Sequence, residues 1–417
     1  MSGFDEHRPP EQALVDDCVH CGFCLDSCPT YVLAAEEADS PRGRIVLIDE
    51  ALKPEGSLSD ELVSHFDSCL GCLACVSACP SGVQYDKLIH RVRPQIERHH
   101  HRPGPERALR LLLFETLPYP KRLRQLWPLL AASRRLGVDR LPERVAVLAK
   151  VAPRVSGRRA PDFNPPLVTP AVGTPRGRVV LLLGCVQRVF FSEVHRATID
   201  VLAAEGFEVV APTMPDCCGA LELHAGEEEQ GMARAEATIA SFSEYGELDA
   251  IIVNSAGCGA AMKEYGELLR TPAAEAFSAR VMDVSELLAS VEPRAERGPV
   301  PLKVVYHDAC HLAHGQGIRS APRELLAAIP SLELLEVAAE PDVCCGSAGI
   351  YNIVQPHAAA ELGVRKARNL LDSGAEAIAA GNPGCTAQLA RHLRELGRPL
   401  PIHHTIELLA RSIAAAH

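Results

Sequence analysis

Residues 17–31 read DCVHCGFCLDSCPTY, with cysteines at 18, 21, 24 and 28 and a proline directly after the last. Residues 68–82, SCLGCLACVSACPSG, repeat the arrangement at Cys69, Cys72, Cys75 and Cys79, and Pro80 follows. Clustered thiols are a redox liability unless each is bound, because the thiolate is both the reactive form and the metal-ligating form. A pattern written twice therefore asks for two bound groups.

The rest of the chain sets the context for those thiols. At 417 residues with 47% hydrophobic content it is long and apolar enough for two or three packed domains. The N-terminus MSGFDEHRPPEQ has no apolar segment. The longest apolar run, around VVLLLGCV, is far short of the roughly 20 residues that cross a bilayer. A cytoplasmic protein is expected, in a compartment that keeps thiols reduced, so sixteen cysteines read as metal ligands and not as a disulfide framework. The net charge of −11 argues against a nucleic-acid partner.

The charge is uneven. Between Arg91 and Ala160 there are seventeen Lys/Arg against five Asp/Glu. That segment also holds Leu111, Leu112, Leu113, Phe114 and the single tryptophan, Trp127. Such a mixture suits peripheral contact with an anionic membrane surface, or docking onto an acidic face of a partner. Its prolines at 103, 118, 120, 128 and 142 break it into helical patches, and APDFNPPLVTPAVGTPRG follows as an irregular tail. Between the two cysteine motifs, Leu58, Leu62 and Phe66 share one helical face, with Ser57 and Asp60 as a capping-box-like start.

From Arg176 the texture changes to short apolar runs that each end near cysteine. RGRVVLLLGCV, FEVVAPTMPDCCG and LDAIIVNSAGCGAAM are followed in the same order by LKVVYHDACHL, LELLEVAAEPDVCCGSAG and AEAIAAGNPGCTAQL. Cys185 to Cys310 is 125 positions, and Cys217 to Cys344 and Cys258 to Cys385 are both 127. Three anchors in one register make this an internal repeat. Strands alternating with helical patterns predict parallel βαβ layers, whose ligand sites lie at the carboxyl ends of the strands.

The spacing of the first eight cysteines decides their chemistry. A tetrahedral zinc site usually takes two separated pairs. Three thiols at three-residue steps, a fourth four residues on and then proline follow the bacterial ferredoxin pattern for [4Fe–4S], in which the fourth cysteine serves the other cluster. By that rule Cys18, Cys21, Cys24 and Cys79 hold one cluster, and Cys69, Cys72, Cys75 and Cys28 hold the other. His20 is left as a polar filler of the loop.

Each later repeat offers four more thiols, Cys185, Cys217, Cys218 and Cys258 in the first and Cys310, Cys344, Cys345 and Cys385 in the second. Gly219 and Gly346 leave the backbone free to turn beside the paired cysteines. Four such thiolates suffice for a further iron–sulfur cluster or for zinc; the competing reading is that some are small buried hydrophobes. His307, His311 and His314 flank Cys310 and read more readily as groups that tune a site than as ligands. There is no GxGxxG after a strand, no P-loop and no nucleophile elbow, so no catalytic residue is assigned.

With these motifs in view, the chain resembles the iron–sulfur subunits of membrane-linked dehydrogenases, which have heterodisulfide reductase among their relatives. Within them it is most similar to the iron–sulfur subunits of bacterial glycolate oxidase (glycolate dehydrogenase). CVHCGFC with CPTY, SPRGRI, CPSGV, GCGAAMKEYG and CCGSAGIY carry the likeness, which spans nearly the whole chain. The resemblance implies an α+β multidomain fold. A helical two-cluster ferredoxin-type domain (1–95) precedes a basic helical connector (96–174) and two α/β cysteine-rich CCG repeats (175–299 and 300–417).

It also implies flavin-binding oxidase subunits as partners, with FAD on those subunits only. Electrons from glycolate would then pass through this chain to quinone or another membrane acceptor, from the cytoplasm or the inner face of the cell membrane. The equivalent subunit of a lactate or glycerol-3-phosphate dehydrogenase, and a heterodisulfide-reductase-like thiol–disulfide enzyme, are the alternatives. One departure weakens the last of these: where those relatives end each repeat in CxxC, this chain has Ser255 in SAGC and Asn382 in NPGC.

Overall fold

The computed structural model describes residues 3–135, 143–152 and 163–416. In the N-terminal part, short helices carry the two cysteine motifs. Helix Pro29–Ala34 begins directly after Cys28, with proline in its first turn, where a missing N–H costs nothing. Helix Ala74–Ser77 lies inside the second motif.

Helix Asp60–Ser68 stands where the apolar spacing places it, but its cap is Ser59, whose side chain accepts from the Leu62 N–H, and not Ser57. That start puts Asp60 and Glu61 in the first turn, beside the positive end of the helix dipole. Its Leu62, Val63 and Phe66 meet Leu88, Ile89, Val92 and Ile96 from helix Tyr85–His99 in one buried cluster.

The two repeats are parallel sheets of matching topology. The first holds β1 (Val168–Thr169), β2 (Gly177–Leu181), β3 (Phe207–Val210), β4 (Ala250–Val253) and β5 (Val281–Asp283), in the order β1-β3-β2-β4-β5. The second holds β6 (Leu302–His307), β7 (Leu332–Leu335), β8 (Ala377–Ala380) and β9 (Ile402–His403), in the order β7-β6-β8-β9. The expected α+β class with a duplicated α/β unit is what the chain forms. One piece of the tail read as irregular is a strand: Val168 and Thr169 pair antiparallel with Val210 and Val209 and cover the edge of β3.

The two sheets share a core. Leu181, Leu202 and Ile252 from the first repeat join Val304, Leu326 and Leu409 from the second in one buried cluster. Helix Ser192–Ala204 packs against helix Thr405–Ala414 across this boundary.

The connector is a clamp. Leu113, Phe114 and Val147 bury against Ile350 and Ile353 of the second repeat, while Leu123 and Trp127 bury against Val189 of the first. This corrects the apolar side of the membrane-surface reading. Leu113, Phe114 and Trp127 are interior, which leaves Leu111 and Leu112 exposed. Arg102 and Arg110 are also committed, to Asp67, Glu97 and Glu106. Residues 136–142 and 153–162 of the same segment lie outside the described residues. Among the described residues, no helix is long and apolar enough to cross a membrane.

Candidate metal centres

The N-terminal loops enclose two hollows. Cys18, Cys21 and Cys24 line the first together with Cys79 of the other motif, and Cys75 borders it. Cys69, Cys72 and Cys75 line the second together with Cys28. Each hollow thus gathers three thiols from one motif and the last thiol of the other, and Cys75 lies on the wall of both. The two differ in exposure. Cys21 is open to solvent between Val19 and Phe23, which are 67% and 69% exposed, whereas Cys28, Cys69 and Cys72 are buried. His20 lines the rim of the first hollow and is exposed, in keeping with a loop filler.

Charge around the second hollow comes from arginines to which sequence reasoning gave no role. Arg44 is 1% exposed. Its guanidinium donates to the His65 carbonyl at 2.7 Å, Ser68 Oγ at 2.7 Å, and Thr30 Oγ1 and Asp39 Oδ1 at 3.2 Å. Burial pushes the Cys69 thiol up, but Arg44, Arg93 and the Gly71 N–H outweigh it and hold that thiol below its ordinary range. The Gly71 N–H points at Cys69 Sγ from 3.4 Å and the Tyr85 hydroxyl from 3.8 Å. Such donors tune the potential of a thiolate-bound cluster. Cys72 has only the Ala74 N–H to offset its burial and Cys75 lacks even that, and burial with the neighbouring thiols raises both well above the ordinary thiol range. A thiolate there needs a metal cation beside it.

In the repeats the same backbone logic operates twice. Cys185 follows β2 and Cys310 follows β6, while Cys258 and Cys385 follow β4 and β8, on either side of the point where strand order reverses. The Cys-Cys-Gly turn supplies the middle pair. Gly219 and Gly346 have φ of +79° and +80°, and a Cβ on Gly346 would lie 2.6 Å from the Ala359 carbonyl oxygen. Contacts between thiols then run Cys185–Cys217–Cys218–Cys258 in the first repeat. In the second they run Cys310–Cys344–Cys345–Cys385, with Cys310 Sγ and Cys344 Sγ 3.9 Å apart.

Each repeat adds its own cation. Arg234 faces Cys217 and pairs with Glu222, whose carboxyl burial and the Cys217 charge raise to about 7. Lys366, 1% exposed, lies beside Cys345 and Cys344 and donates to the carbonyls of Glu340 and Pro341 at 2.7 and 3.0 Å.

The three histidines near Cys310 part company. His311 Nδ1 lies 3.5 Å from Cys310 Sγ. His314 turns away to Ser77 Oγ, 2.9 Å off in the N-terminal part. His307 is buried, and one of its ring nitrogens and the sulfurs of Cys345 and Cys385 all lie within 4.8 Å of one another.

Two junctions were not legible from the cysteine spacing. Cys72 of the second hollow joins Cys344, Leu70, Val343 and Tyr351 in a buried cluster, and the partly buried Cys310 packs against it. Arg93 ties the N-terminal domain to the first repeat instead, donating to the carbonyls of Cys69 and His224, both at 2.6 Å. The second junction joins the repeats. Ser255 Oγ lies 3.4 Å from Asn382 Oδ1, the Ala256 N–H donates to the Gly381 carbonyl at 3.1 Å, and Asn382 Nδ2 donates to Cys385 Sγ at 3.5 Å. The two positions that lack a further thiol thus meet each other. The donor sets fit soft, thiolate-seeking centres: four sulfurs about each N-terminal hollow and four in each repeat.

Comparison with known proteins agrees with this division. The 4Fe-4S dicluster domain matches residues 17–83, and the cysteine-rich domain matches residues 179–263 and 304–390. The chain is 35% identical over 430 residues to the glycolate oxidase iron-sulfur subunit of Escherichia coli (strain K12), covering 98% of each. It is 34% identical over 396 residues to the probable glycolate oxidase iron-sulfur subunit of Bacillus subtilis (strain 168), covering 89% of this chain and 88% of that one. Lactate utilization protein A of Exiguobacterium sp. is 28% identical over 244 residues, which is 57% of this chain and 99% of that protein.

Proposed function

The chain belongs to the family of glycolate oxidase iron–sulfur subunits and is an iron–sulfur electron-transfer subunit, and from that premise we propose that it carries electrons from glycolate oxidation to a membrane acceptor such as quinone. Oxidation of glycolate to glyoxylate releases two electrons and two protons. Flavin-binding partner subunits carrying FAD would take up the electron pair, and this chain would pass the electrons on one at a time. No residue of this chain is given a role at the substrate.

The proposed ligands are Cys18, Cys21, Cys24 and Cys79 for one [4Fe–4S] cluster and Cys69, Cys72, Cys75 and Cys28 for the other; the lining of the two hollows supports both sets. The cysteines of the two CCG repeats are proposed to hold at least one further metal centre, iron–sulfur in at least one repeat or else zinc, as one site or two. When bound, the iron–sulfur groups supply one-electron redox steps. Domain limits at about 95, 174 and 299 are part of the same reading.

The observation that carries this reading is the packing of Cys72 against Cys310 and Cys344. It gives a buried path from the N-terminal domain into the second repeat. At the other end, Cys21 between exposed Val19 and Phe23 is where a partner would approach the first hollow. The test is to purify the subunit with its flavin partners anaerobically and add glycolate. Reduced iron–sulfur EPR signals and dye reduction are expected. Reduction by lactate or glycerol 3-phosphate with none by glycolate would overturn the substrate assignment. Disulfide reduction by this chain alone would favour the thiol–disulfide enzyme.

A further inference from the structure

His307 ends β6, the central strand of the second sheet, and pairs in register with Ala380 on β8, five residues before Cys385. The parallel pairing therefore delivers an imidazole and a thiol to the same sheet end. The ring is 2% exposed. Among the described residues, neither of its nitrogens has a hydrogen-bond partner. A buried, unpaired polar group costs about 1–3 kcal/mol, so an imidazole left that way needs an explanation. The nearest chemistry is sulfur: a ring nitrogen of His307, Cys345 Sγ and Cys385 Sγ lie within 4.8 Å of one another. Among the described residues this is the one such group of three metal-seeking side chains.

The first repeat supplies the control. The residue three positions before Cys310 is His307; the residue three before Cys185 is Leu182, which is 3% exposed. A position that merely needed filling is filled by leucine there. In the second repeat the same position carries a donor and lacks a hydrogen-bond partner for it.

We propose that His307 is a metal ligand of the second repeat, which gives that centre a mixed thiolate and imidazole donor set while the first repeat offers thiolates alone. This rests on the reading that the second repeat holds a metal. Asn382 Nδ2, 3.5 Å from Cys385 Sγ, steadies the neighbouring thiolate. Iron and zinc both accept imidazole beside thiolate. In an iron–sulfur centre, neutral imidazole in place of anionic thiolate raises the reduction potential.

The experiment uses the full chain, purified anaerobically and labelled with 15N-histidine. Metal content per chain is measured first, then pulsed EPR for an iron centre and zinc-edge X-ray absorption for a zinc one. The expected wild-type result is metal beyond the eight irons of two [4Fe–4S] clusters, with a directly bound histidine nitrogen. His307→Leu, the residue of the first repeat, should lose that metal or its nitrogen signature while the N-terminal cluster signals persist. His307→Cys should keep the metal and lose the nitrogen signature. Metal in the second repeat of the wild type without bound histidine nitrogen overturns the assignment of His307 alone. No metal beyond the two N-terminal clusters overturns both this inference and the reading beneath it. An unchanged metal content and spectrum in His307→Leu also refutes it.

Discussion

In the first repeat, Leu182 follows the central strand and Arg234 faces Cys217; in the second, His307 ends the central strand and Lys366 lies beside Cys344 and Cys345. The turns, the four thiols and the order of the four parallel strands are the same in both, and the first sheet adds the antiparallel edge strand β1. The surroundings are not. Helix Ala220–Ala225 of the first repeat packs on helix Tyr85–His99, whereas Cys344 of the second repeat shares a buried cluster with Cys72, and Cys310 packs against that cluster. Duplication has kept what the backbone requires: the parallel pairing and the left-handed glycine after each cysteine pair. It has freed what the backbone does not require, namely the charge, the extra donor and the neighbour of each site. A difference in role should follow from the difference in neighbour.

The largest expected effect breaks that comparison directly. In the intact complex, Cys344→Ser with Cys345→Ser should slow glycolate-dependent reduction of a quinone analogue roughly a hundredfold, about 2.7 kcal/mol in barrier. Cys217→Ser with Cys218→Ser should slow it less than about tenfold. EPR of the N-terminal clusters should be intact in both variants. An equal or larger loss from the first-repeat pair would mean that contact with Cys72 does not define the path.

Next comes the domain that feeds the second repeat. Cys28→Ser should disturb the cluster of the second motif, the one beside Cys310, and leave the solvent-facing one intact; Cys79→Ser should do the reverse. The readout is EPR of each variant after graded reduction. Damage confined to the hollow of Cys18, Cys21 and Cys24 in the Cys28 variant would remove crossed ligation.

Much of this arrangement is readable in the sequence itself. Strict three-residue steps and a trailing proline identify the eight N-terminal thiols, because that chemistry is written in local spacing. The repeat was legible because Cys185, Cys217 and Cys258 recur in one register. What could not be read depends on contacts between distant segments. Arg44 lies in SPRGRI, a stretch that marks the family, but its four hydrogen-bond partners come from residues 30 to 68 and become visible only when folded. The meeting of Cys72 with Cys344 joins residues far apart in sequence. Trp127 and Phe114 read as surface candidates because charge surrounds them in the chain; the repeats that bury them come later in it.

The glycine turns test whether the two repeats are equally constrained. Gly346→Ala meets the Ala359 carbonyl oxygen at 2.6 Å, while Gly219→Ala meets the Gly231 carbonyl oxygen at 3.0 Å. Both positions hold positive φ, which costs an alanine about 1–2 kcal/mol. The clash should add to that in the second repeat. Thermal unfolding of the full chain should therefore show a larger loss for Gly346→Ala, about 2 kcal/mol or more against about 1 kcal/mol. Equal losses would mean that the helix carrying Ala359 gives way without cost.

The smallest effect concerns the seam between the repeats. His195 of the first repeat and His404 of the second are both buried and neutral: burial lowers them to about 3 and about 4. Each nitrogen that matters is an acceptor. His195 Nδ1 accepts from Asn254 Nδ2 at 3.1 Å, and His404 Nδ1 accepts from the Ile406 N–H at 3.1 Å, capping helix Thr405–Ala414. Arg188 faces His195 and disfavours its charge; Glu407, itself raised by burial, accepts from the His404 backbone N–H at 2.7 Å. The unfolded chain binds protons on these rings near pH 6.5, and the folded chain does not until about pH 4 or below. Stability is therefore full above the ordinary histidine range and falls as the pH drops through it toward the folded values. Each ring loses about 1.4 kcal/mol per pH unit over that window. The seam should weaken between pH 7.5 and 5.5, where the thermal midpoint falls by a few degrees for each ring, at roughly 2–4 °C per kcal/mol. His404→Asn keeps a capping side chain and removes one titration, so its midpoint should fall less than that of the wild type over the same interval. A variant that tracks the wild type at both pH values would show that the capping imidazole is not what acid attacks.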